Sequence, residues 1–132
     1  MKNTYALITG ASSGIGLEIA YKLAEKGYGI ILTARREERL IAYTNEIKDK
    51  FGVNVDFVTG DLALPETPQN IYNFCKDKNY SVEVLVNNAG YGIPSQFHKT
   101  SMEDEEKSIR VLSTSVIALS KAFIPDMLEN KS

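Results

Sequence analysis

Tryptophan is absent from these 132 residues, and cysteine and histidine occur once each, as Cys75 and His98. A lone cysteine excludes an internal disulfide, so a reducing, cytoplasmic setting is the plain expectation. His98 has no second ligand in its polar neighbourhood, and no metal site is expected. Apolar runs stop short of the roughly 18 residues that a membrane span needs, so no membrane segment is expected. Basic residues are scattered: 15 Lys and Arg against 17 Asp and Glu give a net charge of −2, and nothing points to a nucleic acid partner. Met1-Lys2-Asn3-Thr4 leads directly into an apolar run, so no signal peptide is expected. What is present, 43% apolar and 24% charged residues, is the composition of a soluble globular protein with room for one domain, 1–132.

The chain is organised around Thr9-Gly-Ala-Ser-Ser-Gly-Ile-Gly16, between the apolar run Tyr5 to Ile8 and an amphipathic run that reaches Lys26. That pattern reads as strand, glycine turn, helix. Gly10 lets the chain turn sharply, Gly14 leaves room for a pyrophosphate, and Gly16 lets the helix pack closely on the sheet. The helix N-terminus, with Ser12, Ser13 and Ile15 around it, offers N–H groups and a partial positive charge to a phosphate. No Lys-Ser or Lys-Thr follows the last glycine, so this is not a Walker P-loop.

A first helix is expected from about Ser13 to Lys26, with Ile15, Ile19, Ala20, Leu23 and Ala24 inward and Gly27 as its cap. Strands follow at Gly29–Thr33, Val53–Thr59 and Val82–Val86, separated by helices at Glu37–Lys50 and from Pro65 or Pro68 onward. After Asn87-Asn88-Ala89-Gly90 comes a loop, Tyr91 to Lys99, with Gly92 and Pro94 in it. Ser101 then caps a long helix to about Glu129. Ile109, Leu112, Val116, Leu119 and Phe123 make its inner stripe; Val111, Ile117, Ile124 and Leu128 lie off it, and Pro125 should kink or interrupt it. The alternation of strand and helix, with short connections and apolar strands, predicts an α/β fold with a parallel sheet covered on both faces.

Three strand ends carry the candidate site. The second ends in Ala34-Arg35-Arg36, where dinucleotide enzymes using NAD place an acid on the ribose 2′-hydroxyl. Guanidinium groups there suit a 2′-phosphate, which points to NADP; the plain alternative is solvated surface charge. Asp61-Leu62 ends the third strand, where Asp61 can accept from an adenine amino group or simply cap a turn. Asn87, Asn88, Ala89 and Gly90 end the fourth at the expected topological switch point, as cleft wall or as turn.

Together TGASSGIG, Asp61-Leu62, NNAG at Asn87 to Gly90 and KAFIP at Lys121 to Pro125 resemble the short-chain dehydrogenase/reductase family along the whole chain. The resemblance implies a doubly wound, Rossmann-like fold with the sheet order 3-2-1-4, a nicotinamide cofactor and hydride exchange with an alcohol or carbonyl, and Thr33 to Arg36 resembles the NADP-preferring members. It also implies that the catalytic Ser, Tyr and Lys lie beyond the long helix, outside these residues, so the chain reads as a cofactor-binding half, inactive alone. Aligned on Pro125, the family's catalytic Asn falls on Leu112, whose plain reading is core packing. The alternatives are a non-catalytic nucleotide-binding protein or one half of a two-chain enzyme.

Tyr72 and Lys76 match the family's YxxxK string, but a helix between the third and fourth strands should carry them away from the cleft, so no catalytic role is transferred. Cys75 is expected to be an inert helix residue and His98 a solvated one. An open edge at Val82–Val86 and an outward apolar face on the long helix predict at least a homodimer.

Overall fold

Tyr5 to Ile8 and Ile30 to Leu32 are apolar without alternation because both faces of their strands are covered. A computed structural model describes residues 4–12, 14–90 and 96–131. In it β1 (Thr4–Thr9) and β2 (Gly29–Ala34) are the central strands of a parallel sheet with β3 (Val55–Thr59) and β4 (Ser81–Val86), in the order β3-β2-β1-β4. Leu7 pairs with Ile31 and Leu85, and Thr9 with Thr33, so the strand ends carrying the candidate site finish level. Helices α1 (Gly14–Glu25), α2 (Glu37–Phe51) and α3 (Thr67–Asp77) connect the strands.

The two faces bury separate cores. Ala6, Ile8, Ile30 and Leu32 pack with Ala20 and Ala24 of α1 and with Leu40 and Ile47 of α2. Tyr5, Leu7 and Ile31 pack on the other face with Ile71 and Cys75 of α3 and with Leu119 and Phe123. Gly27 and Gly52 follow α1 and α2 with positive φ, +97° and +68°, where a side chain would be strained.

Several expectations need correction. Ile15 is not on the inner stripe of α1; it is 70% exposed and turned to the space at the carboxyl ends of the strands. β3 begins at Val55, and Val53, although buried, precedes it. The choice between the two prolines falls to Pro68, in the first turn of α3.

The largest difference lies in the long helix. Ser101 caps α4 (Met102–Ile109), its hydroxyl accepting the Asp104 N–H at 3.0 Å. A π turn at Arg110–Thr114 follows, and then α5 (Ser115–Lys131), which runs through Pro125 without ending there. The wide turn changes the buried stripe to Val111, Ser115, Leu119 and Phe123. Ile109 and Leu112 are exposed, 60% and 52%, so Leu112 is not a core residue. Contrary to the expectation from unbroken apolar runs, the stretch Met102–Asn130 is long and apolar enough to cross a membrane by length and composition. Its buried stripe docks on β4 and α3 as a layer of the fold.

Candidate functional site

The carboxyl ends of β1, β2, β3 and β4 open into one cleft of about 550 Å³. Gly10, Ser12, Gly14, Ile15, Arg35, Asp61, Leu62, Asn88, Ala89 and Gly90 line it, together with Thr33, Ala34, Gly60 and Val111. Ten of the residues singled out from sequence thus meet in one place. Ser13 and most of the loop 91–99 lie outside the described residues. Arg36 does not line the cleft; it takes an extended backbone as the residue before α2, so only one of the two arginines stands at the wall. Asn87 is exposed and also off the wall.

The glycines divide their work. Gly10 has φ +64°, and a Cβ there would lie 2.8 Å from the Ala89 Cα. At Gly16 a Cβ would lie 2.7 Å from both the Asn88 Nδ2 and the Gly10 carbonyl, so Gly16 admits the β4 loop and the glycine turn rather than the sheet. At Gly14 a Cβ would meet nothing within 4 Å, which leaves open space over the first turn of α1.

Thr9, which the sequence reading did not single out, ties β1 to the β4 loop. Its buried hydroxyl accepts the N–H groups of Asn88 (2.9 Å) and Ala89 (3.1 Å) and lies 3.4 Å from the Val86 carbonyl, to which it donates. The Asn88 amide donates to the Gly10 carbonyl at 3.3 Å. The only signal available was a polar residue closing an apolar strand. Val111 was missed because the π turn rotated it inward.

Asp61 caps a turn at the cleft wall. Its Oδ1 accepts the Ala63 N–H at 2.9 Å and caps the turn, while the residue lines the cleft. Gly60 donates to the Ala34 carbonyl at 3.0 Å, which joins this turn to the end of β2.

A dinucleotide fits these residues. The N-terminus of α1 meets the cleft at Gly14 and Ile15, a helix end suited to a phosphate, and a Cβ at Gly14 would meet nothing within 4 Å. Thr33 Oγ1 is buried beside the cleft without a hydrogen-bond partner among the described residues, a polar atom that a ligand could satisfy.

Tyr72 and Lys76 are elsewhere. Tyr72 donates to Asp126 of α5 at 2.7 Å, packs edge-on to Phe123, and Lys76 pairs with the same carboxylate at 3.5 Å. The Asp126 hydrogen bond first, and burial second, push the Tyr72 phenol above its ordinary value. A proton-transferring tyrosine needs the opposite shift. Cys75 is buried in α3, and burial pushes its thiol up to about 12, which removes the thiolate needed for reactivity. His98 is exposed in a 3-10 turn at Phe97–Lys99.

Residues 4–132 match the family model described as short chain dehydrogenase. A very-long-chain 3-oxoacyl-CoA reductase of Mycosarcoma maydis is 37% identical over 136 aligned positions, covering 97% of this chain and 37% of that protein. A second, from Candida glabrata, is 33% identical and covers 92% of this chain and 35% of the relative. Among solved structures, the L-sorbose reductase of Gluconobacter frateurii complexed with NADPH and L-sorbose has a TM-score of 0.85 at 33% identity, over 96% of this chain and 50% of that one. A short-chain dehydrogenase from Sphingobium yanoikuyae in complex with NADPH gives 0.86 at 31% identity, over 96% and 49%. The chain therefore spans 35% and 37% of the length of these two curated relatives and about half of the solved ones.

Proposed function

Since this chain belongs to the short-chain dehydrogenase family of oxidoreductases, we propose that its cleft binds NADP(H) and that it is the cofactor-binding half of a carbonyl-reducing or alcohol-oxidising enzyme. One observation carries the cofactor choice: β2 ends in Ala34 and Arg35 on the cleft wall, with no acid there to hold a ribose 2′-hydroxyl. Arg35 would hold the 2′-phosphate, the first turn of α1 the pyrophosphate, and Asp61 the adenine amino group. Bound NADPH would supply the hydride. Two solved relatives that carry NADPH support this reading.

The test is Ala34→Asp, which puts a carboxylate where the 2′-phosphate would lie. It should weaken NADPH and strengthen NADH. Unchanged affinities for both would show that the cofactor does not run past the end of β2.

Tyr72 is turned toward α5 and Leu112 stands where the family places its catalytic Asn, so these residues alone are proposed to bind without turnover. NADPH oxidation with a panel of aldehydes and ketones should stay at background, and turnover abolished by Tyr72→Phe would overturn this. The exposed Leu112 also favours a second reading, a nucleotide-binding protein without catalysis. We further propose a cytoplasmic location, consistent with the buried free thiol of Cys75, checked by fractionating the source cells. Self-association through the β4 edge or the long helix completes the proposal.

A further inference from the structure

Asp61 sits on a turn that is fixed from three directions. Gly60 donates its N–H to the Ala34 carbonyl at 3.0 Å. The Asp61 carbonyl accepts from the Leu64 N–H at 3.0 Å and from the Thr67 hydroxyl at 2.6 Å. The Thr67 methyl covers the face of Gly60, where a Cβ would lie 2.7 Å from it. Thr67 is the first residue of α3 and only 4% exposed. A threonine at a helix start ordinarily bonds to N–H groups of its own first turn. Here it reaches six residues back and grips the main chain of Asp61 instead.

That grip has a consequence for the carboxylate. Oδ1 is occupied by the Ala63 N–H, and no described residue donates to Oδ2. With the main chain of Asp61 held and one oxygen used, the carboxylate keeps one orientation, and Asp61 lines the cleft. We propose that Thr67 is a positioning residue for nucleobase recognition: its hydroxyl fixes the Asp61 turn so that the free carboxylate oxygen meets an exocyclic amino group. The inference rests on the cleft's being the NADP(H) site and adds to it a residue that itself touches no ligand.

The experiment compares NADPH with its reduced hypoxanthine analogue, in which an oxygen replaces the adenine amino group. Both are titrated by fluorescence into the unmutated chain, Thr67→Val and Thr67→Ser, with folding checked by circular dichroism. The unmutated chain should prefer NADPH. Thr67→Val keeps the methyl over Gly60 but loses the donor, and should reduce that preference roughly three- to tenfold. Thr67→Ser keeps the donor and should retain the preference. A generally loosened fold would weaken both ligands by the same factor and leave the ratio intact. That result, or an unchanged ratio in folded Thr67→Val, overturns the proposal. Absence of any preference in the unmutated chain is a different failure: it removes Asp61 as the amino acceptor, and this inference with it. Should Thr67→Val not fold, Thr67→Ala takes its place with the same two readings.

Discussion

Thr9 and Asn88, 79 positions apart in sequence, are joined by a 2.9 Å hydrogen bond from the Asn88 N–H to the Thr9 hydroxyl. The same oxygen takes the Ala89 N–H at 3.1 Å, so one buried side chain holds the floor of the cleft closed between β1 and β4. Replacing it by valine keeps the shape and leaves two donors without an acceptor. Thr9→Val should lower unfolding stability by about 1–3 kcal/mol, measured by urea denaturation, and Thr9→Ser by less. Equal stabilities for all three would mean that the loop holds itself.

Gly14 and Gly16 should separate binding from folding. A methyl at Gly16 must displace the Asn88 amide or the Gly10 carbonyl, each 2.7 Å away. Gly16→Ala is therefore expected to destabilise by about 1–3 kcal/mol, as overpacking does. A methyl at Gly14 meets nothing, so Gly14→Ala should melt near the unmutated temperature yet bind nucleotide more weakly. Full affinity in Gly14→Ala would place the phosphates elsewhere.

Cys75 should make stability fall at alkaline pH. Burial, and secondarily the charge of Asp56, raise its thiol to about 12. A folded value above the unfolded one, near 8.5, means the contribution is complete below that unfolded value. It is then lost as pH rises through the window up to about 12. Urea midpoints at pH 8 and pH 10.5 should differ more for the unmutated chain than for Cys75→Val. Identical drops in the two would remove Cys75 as the cause.

The parts of this fold that were legible in the sequence are those set by strong local periodicity. The runs Tyr5–Ile8 and Ile30–Leu32, and glycines at Gly27 and Gly52, mark the element order, while the sheet order was legible only through the family resemblance. The glycine turn, Asp61 and Asn88 could be placed together because parallel strands bring their carboxyl ends to one side. The long helix was misread because a π turn has no signature in apolar spacing. A polar residue, Ser115, belongs to its buried stripe, its hydroxyl bonded to the Val111 carbonyl at 2.8 Å, while Ile109 and Leu112 face out. Thr9 and Thr67 were invisible for another reason: each acts through side-chain hydrogen bonds to main chain outside its own element, which local pattern does not encode.

That outward face motivates the prediction of association. Among the described residues β4 pairs only with β1, leaving its other edge open. Leu112, Ile117, Ile124 and Leu128 are 52%, 57%, 47% and 67% exposed. Burial of a large apolar side chain is worth about 1.5–3 kcal/mol, and an open strand edge templates pairing. Light scattering at micromolar concentration should give at least a dimer, with an interface above roughly 1,000 Å². Ile117→Lys should dissociate a helix-mediated dimer and spare an edge-mediated one; Val84→Lys should do the reverse. A monomer at all concentrations would contradict the proposal.

The central claim, an NADP(H) cleft, is tested most directly by titrating NADPH and NADH separately into the unmutated chain by fluorescence. Arg35 on the 2′-phosphate, a hydrogen bond to a charged group, should favour NADPH by roughly 10- to 100-fold. Equal affinities, or tighter binding of NADH, would contradict it.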